Sequence, residues 1–224
     1  MNLAKRAAAE GIGTAFLVAA VVGSGIMGER LSDANPAITL LANSLATGGA
    51  LVALILTFGP ISGAHFNPVV SLAARMRREL ARGETLAYVA MQVAGGLAGV
   101  AAAHLMFGEP VFSPSLRARA GTAQLLSECI ATFGLIAVVL GCSRTRLSAM
   151  PYAVAAYITS AYWFTASTSF ANPAVTLARS LTDSFSGTRP SDVFPFIAAQ
   201  VVGGLLAAKV FGWLGHPASN VPDK

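Results

Sequence analysis

Two short segments of the chain read almost alike: SGAHFNPVVSL at residues 62–72 and STSFANPAVTL at 167–177. Asparagine is a good helix N-cap and proline is tolerated at the first helical position, so Asn67-Pro68 and Asn172-Pro173 each mark a helix start. The apolar runs that follow are short. Residues 68–74 continue only to Arg75 and 173–178 only to Arg179, two or three turns in each case. A helix that starts inside a membrane aims unpaired N–H groups and a partial positive charge at whatever precedes it, so two such starts imply a polar path there. Irregular backbone at that depth is tolerated only where it lines a wet cavity or is buried in protein.

The membrane setting rests on composition and length. Apolar residues make up 54% of the chain and charged residues 11%, against about 25% charged in ordinary soluble domains. Apolar stretches at 11–28, 37–59, 86–107, 123–142, 149–166 and 193–214 approach or exceed the roughly 20 residues that cross a bilayer core. The first lies behind Lys5 and Arg6 but runs past signal-peptide length without a convincing cleavage site, so it is expected to be retained. The net charge of +5 sets topology rather than marking a nucleic-acid partner. Lys5, Arg6, Arg75, Arg77, Arg78, Arg82, Arg144, Arg146 and Lys224 fall on one side; Arg30, Arg117, Arg119, Arg179 and Arg189 fall on the other. The positive-inside rule then puts both termini in the cytoplasm. Cys129 and Cys142 sit 13 residues apart in one expected helix, about 20 Å and beyond disulfide reach.

Repetition extends past the loops. Gln92 in YVAMQVAGGL matches Gln200 in FIAAQVVGGL, and Glu10-Gly-Ile-Gly-Thr14 matches Glu128-Cys-Ile-Ala-Thr132. Three spans per half is odd, so the second half enters from the opposite face and the two form an inverted repeat with its site near the midplane. The expected organisation is one transmembrane domain over 1–224, with halves at about 1–107 and 123–214 and a connector at about 108–122. A third Asn-Pro, Asn35-Pro36, precedes a full apolar span and follows the polar run Glu29 to Asp33, which fits the interfacial cap of a complete helix.

Glu10 and Glu128 are ionisable residues inside expected helices and need partners. They could form a proton relay, or they could accept hydrogen bonds from the re-entrant loops. His65 is read as bracing its loop or lining the pore, since no second His or Cys lies at ligand spacing. No metal or cofactor is expected.

Two half-helices headed by Asn-Pro-(Ala/Val), with SGAHFNP in the first, resemble the aquaporin or major intrinsic protein family over nearly the whole chain. The implied fold class is an all-α membrane protein with six transmembrane helices and two re-entrant half-helices. The resemblance implies that Asn67 and Asn172 meet at mid-pore and donate to passing solute. A carbonyl ladder is carried over to Gly63, Ala64, His65 and Phe66, and to Thr168, Ser169 and Phe170. It favours loop-bracing roles for Glu10 and Glu128, and it implies a homotetramer.

The first motif has Val69 in place of the usual alanine. The larger departure is in the filter: Val175 stands where most members carry arginine after the second Asn-Pro-Ala, and such an arginine narrows and charges the pore. By motif offset the other filter positions are Thr47, Ser160 and Ser169. The implied filter is wide and uncharged, similar to a bacterial aquaglyceroporin-like subgroup associated with arsenic resistance. Arg179, one turn beyond Val175, is placed either in the outer vestibule or among lipid headgroups.

The expected function is passive passage of small uncharged solutes such as glycerol, urea and neutral arsenic hydroxides, including methylated arsenicals, together with water. The expected site is a bacterial inner membrane. A coupled secondary transporter is the alternative, because inverted repeats with broken helices also suit that class. An enzyme is not expected, since no Ser-His or Cys-His pair and no phosphate loop appears.

Overall fold

The computed structural model describes residues 1–214, so Lys224, one of the charges used for topology, lies outside the described residues. Among them, six long helices and two short ones follow in the order α1 Leu3–Leu31, α2 Pro36–Ser62, α3 Pro68–Met76, α4 Arg82–Phe107, α5 Thr122–Thr145, α6 Met150–Phe164, α7 Pro173–Arg179 and α8 Pro190–Leu214. Five of these, α1, α2, α4, α5 and α8, are long and apolar enough to cross a membrane. Helix α6 has 15 residues, about 23 Å at 1.5 Å per residue. A one-turn 3-10 helix, Leu147–Ala149, precedes it, and Thr165 ends it in an extended conformation.

The caps explain the boundaries. Asn35 accepts from Ala37 N at 3.0 Å and opens the full-length α2, so this third Asn-Pro caps a complete helix at an exposed position. Asn67 accepts from Val69 N at 2.9 Å and Asn172 from Ala174 N at 3.0 Å. These two asparagines are buried, and the helices they open have nine and seven residues.

The two halves pack alike. Helix α1 lies along α4 and α2, α5 lies along α8 and α6, and each short helix touches the last long helix of both halves. The repeated Gln-x-x-Gly-Gly carries this arrangement. A Cβ on Gly95 would stand 2.1 Å from the Gly11 carbonyl oxygen, and one on Gly203 would stand 2.1 Å from that of Cys129. No side chain fits there, so the first glycine of each pair sets the close approach of α1 to α4 and of α5 to α8. The second glycine clears the short helix of the opposite half: a Cβ on Gly204 would meet Val69 Cγ1 at 2.2 Å, and one on Gly96 would meet the Ala174 carbonyl oxygen at 3.2 Å.

The threonines of the repeated Glu-x-x-x-Thr return their hydroxyls to the helix backbone. Thr14 donates to Glu10 O at 2.7 Å and Thr132 to Glu128 O at 2.8 Å, the i−4 bond by which a hydroxyl is satisfied within an apolar helix.

Residues 108–121 run between α4 and α5 along the loop that follows α7. Ser113 N donates to Leu181 O and Ser115 N to Ser180 O, both at 3.0 Å, and Arg189 N donates to Arg117 O at 2.8 Å. This pairing holds the connector across one end of the helix bundle.

Candidate functional site

Two buried carboxylates organise the re-entrant segments, and they do so in the same way. Glu10 accepts from His65 N at 3.0 Å, Phe66 N at 2.7 Å, Ser62 Oγ at 2.6 Å and Gln92 Nε2 at 2.8 Å. Glu128 accepts from Phe170 N and Ala171 N, each at 2.9 Å, and from Gln200 Nε2 at 2.6 Å. Both glutamates are 0% exposed. The two glutamines also reach the short helices, Gln92 to Ser71 Oγ at 3.0 Å and Gln200 to Thr176 Oγ1 at 2.8 Å. A carboxylate accepting backbone N–H bonds removes the cost of burying those donors, about 1–3 kcal/mol for each one left unpaired.

That bracing holds an unusual backbone. Gly63, Ala64 and Phe66 have φ of 91°, 51° and 49°, and Thr168, Ser169 and Ala171 have φ of 61°, 51° and 48°. L-residues rarely adopt the left-handed region, and runs of them persist where surrounding bonds over-determine them. The two asparagines then close on each other's segments. Asn67 Nδ2 donates to Ala171 O at 2.8 Å, and Asn172 Nδ2 donates to Phe66 O at 2.7 Å. Each amide has a second N–H, and both residues lie in the wall of a cavity.

The cavity has a volume of about 260 Å³, just below the roughly 300–1,000 Å³ of typical ligand pockets. It runs the length of α6, because both Met150 at the start of that helix and Tyr162 near its end line it. Glu79, beyond the end of α3, and Arg179, at the end of α7, belong to its two extremities. Most of the wall is apolar: Leu17, Val21, Leu51, Ile55, Val139 and Val154 face it, while polar groups come from the re-entrant segments and, on the long helices, from Thr47, Ser143 and Tyr162.

The expected site residues divide as follows. Gly63, Ala64, His65, Phe66, Ser169 and Phe170 line the cavity with the asparagines, and so do Thr47 and Val175. Thr168 does not line it; its hydroxyl takes Arg119 Nη1 at 3.4 Å. Ser160 is a correction. It is exposed on the outside of α6 and returns its hydroxyl to Ala156 O at 2.8 Å. The residues of α6 that face the cavity are Val154, Ile158 and Tyr162, spaced by four and so on one helix face, whereas Ser160 is half a turn away. Tyr162 Oη lies 3.1 Å from Thr47 Oγ1.

Arg179 is only 1% exposed, which excludes the placement among lipid headgroups. Its guanidinium carbon stands 3.4 Å from the centre of the Phe170 ring, and that of Arg119 stands 5.1 Å from the same centre. Nothing in the linear sequence marks Arg119, in the connector, as part of the site. It crosses from the connector to Ser167 O at 3.1 Å, Phe185 O at 3.1 Å and Gly187 O at 2.8 Å. Burial, with the nearby Arg117 charge adding to it, lowers Arg119 to about 10, so it is cationic at neutral pH. Among the described residues no cluster of His, Cys, Asp or Glu could hold a metal, and Cys129 and Cys142 are free thiols.

Comparison with known proteins agrees with this architecture. Residues 1–158 match the family described as Major intrinsic protein. The chain is 52% identical over 220 residues to Aquaglyceroporin AqpS of Rhizobium meliloti (strain 1021), covering 98% of this chain and 94% of the relative. It is 30% identical over 248 residues to Aquaporin AqpM of Methanothermobacter thermautotrophicus, covering 96% and 98%. The solved structure of the aquaglyceroporin from Plasmodium falciparum superposes with a TM-score of 0.76 at 18% identity, over 94% of this chain and 96% of that one.

Proposed function

We propose that this chain, which belongs to the major intrinsic protein family, is a passive transmembrane channel for small uncharged solutes. The proposed solutes are glycerol, urea and neutral arsenic hydroxides, with methylated arsenicals and water also passing. Val175 carries this reading. It lies in the cavity wall at 5% exposure, where an arginine would add bulk and charge. A solute rich in hydroxyls can exchange water for the re-entrant carbonyls and the second N–H of each asparagine, with no charge to desolvate. The two α-helix N-termini that Asn67 and Asn172 cap point positive ends at the cavity centre, which disfavours cations there.

The coupled-transporter alternative needs an ionisable group free to take a proton near the solute. Glu10 and Glu128 have both carboxylate oxygens engaged by loop and glutamine donors, which supports the loop-bracing role. The proposed organisation is one channel domain with halves at about 1–107 and 123–214 joined through 108–122. A homotetramer in a bacterial inner membrane with both termini cytoplasmic completes the reading, the charge distribution supporting the orientation. Stopped-flow light scattering of proteoliposomes given gradients of water, glycerol, urea and neutral arsenicals tests it. Flux of all four that does not saturate is expected; water-only passage would reject the wide filter.

A further inference from the structure

We infer that the end of the cavity beside the connector holds a binding site for a small monocarboxylate, built on Arg179. The guanidinium is buried in the cavity wall and forms no ion pair among the described residues. Its Nε donates to Ser186 O, while Nη2 is buried without a hydrogen-bond partner. The Phe170 ring covers one face at 3.4 Å and fixes its plane. Arg119, close to the same ring, adds a second positive charge.

Glu128 acts electrostatically on both arginines, but its oxygens are committed to Phe170 N, Ala171 N and Gln200. Among the described residues no acid therefore answers the Nη edge of Arg179. Buried arginines are ordinarily paired, because an unpaired buried charge is costly. A planar fork of two N–H donors held by an aromatic face matches the two coplanar oxygens of a carboxylate better than a spherical ion. Glu79 at the opposite extremity is already paired with Arg77 at 2.6 Å, and among the described residues lining the cavity Arg179 is the one guanidinium, so such an anion would be held at the connector end. Bound there, it obstructs the path of neutral solutes. That consequence rests on the proposed channel reading, whereas the binding itself does not.

The probe is sodium formate, compared with sodium chloride at equal ionic strength. In purified protein in nanodiscs, broadening of the 13C-formate resonance should saturate in the range of about 1–10 mM, a weak single-site affinity, and should vanish in Arg179→Met. In proteoliposomes, saturating formate at the connector face should reduce wild-type glycerol flux at least twofold relative to chloride, and Arg119→Met should shift the half-effect to higher formate. Wild-type protein that shows no saturable broadening overturns the site, and equal effects of formate and chloride on a measurable glycerol flux overturn the obstruction. A folded Arg179→Met that binds formate like wild type also overturns the site. If no glycerol flux is seen at all, the channel reading fails while the resonance measurement still decides the binding site.

Discussion

The hydroxyls of Thr47 and Tyr162 lie 3.1 Å apart in the cavity wall, joining α2 of the first half to α6 of the second. This contact makes Tyr162, and not Ser160, the α6 hydroxyl in the cavity wall. Tyr162→Ala removes the ring from the wall and should raise the ratio of glycerol to water permeability. Ser160→Ala changes a side chain on the outside of α6 and should leave that ratio unchanged. Stopped-flow permeability of both variants checks the assignment; the reverse pattern would restore Ser160 to the filter.

The two glutamates should behave as structural equivalents. Glu10→Ala strands the N–H groups of His65 and Phe66, and Glu128→Ala strands those of Phe170 and Ala171. Each stranded donor costs about 1–3 kcal/mol, so the melting temperature in detergent should fall markedly for both. Solute ranking in whatever protein remains folded should be retained. A fully stable variant that couples flux to a proton gradient would favour the relay over the brace.

The glycine pairs should be intolerant in a position-specific way. Gly95→Ala and Gly203→Ala each drive a methyl into a backbone carbonyl 2.1 Å away, and overpacking of this kind costs about 1–3 kcal/mol. Gly49→Ala, where a Cβ meets nothing within 4 Å, should be neutral or should stabilise by up to about 1 kcal/mol. Thermal unfolding of the three variants side by side checks the contrast.

What could be read in advance followed from local chemistry that repeats. Asn67-Pro68 and Asn172-Pro173 declare helix starts, and Glu10 and Glu128, buried in apolar helices, had to find donors. Rotation of α6 about its axis could not be read from offset counting, because apolar residues surround that helix: Tyr152 and Trp163 are exposed while Ile158 and Tyr162 are buried. Arg119 was out of reach for a different reason. Its partners Ser167, Phe185 and Gly187 lie far along the chain, and only the folded connector brings them together. Arg179 was ambiguous because a helix-end arginine can snorkel or turn inward; the Phe170 ring and Ser186 carbonyl hold it inward.

We propose that Val175 stands at the selectivity constriction and leaves it wide. Val175→Arg places a guanidinium one turn inward from Arg179 in the cavity wall, reducing its width and adding charge. The direct measurement is the ratio of glycerol to water permeability in proteoliposomes of wild type and Val175→Arg, with melting temperature as the control for folding. That ratio should drop severalfold while the protein stays folded; an unchanged ratio in a well-folded variant would contradict the placement of Val175 at the constriction.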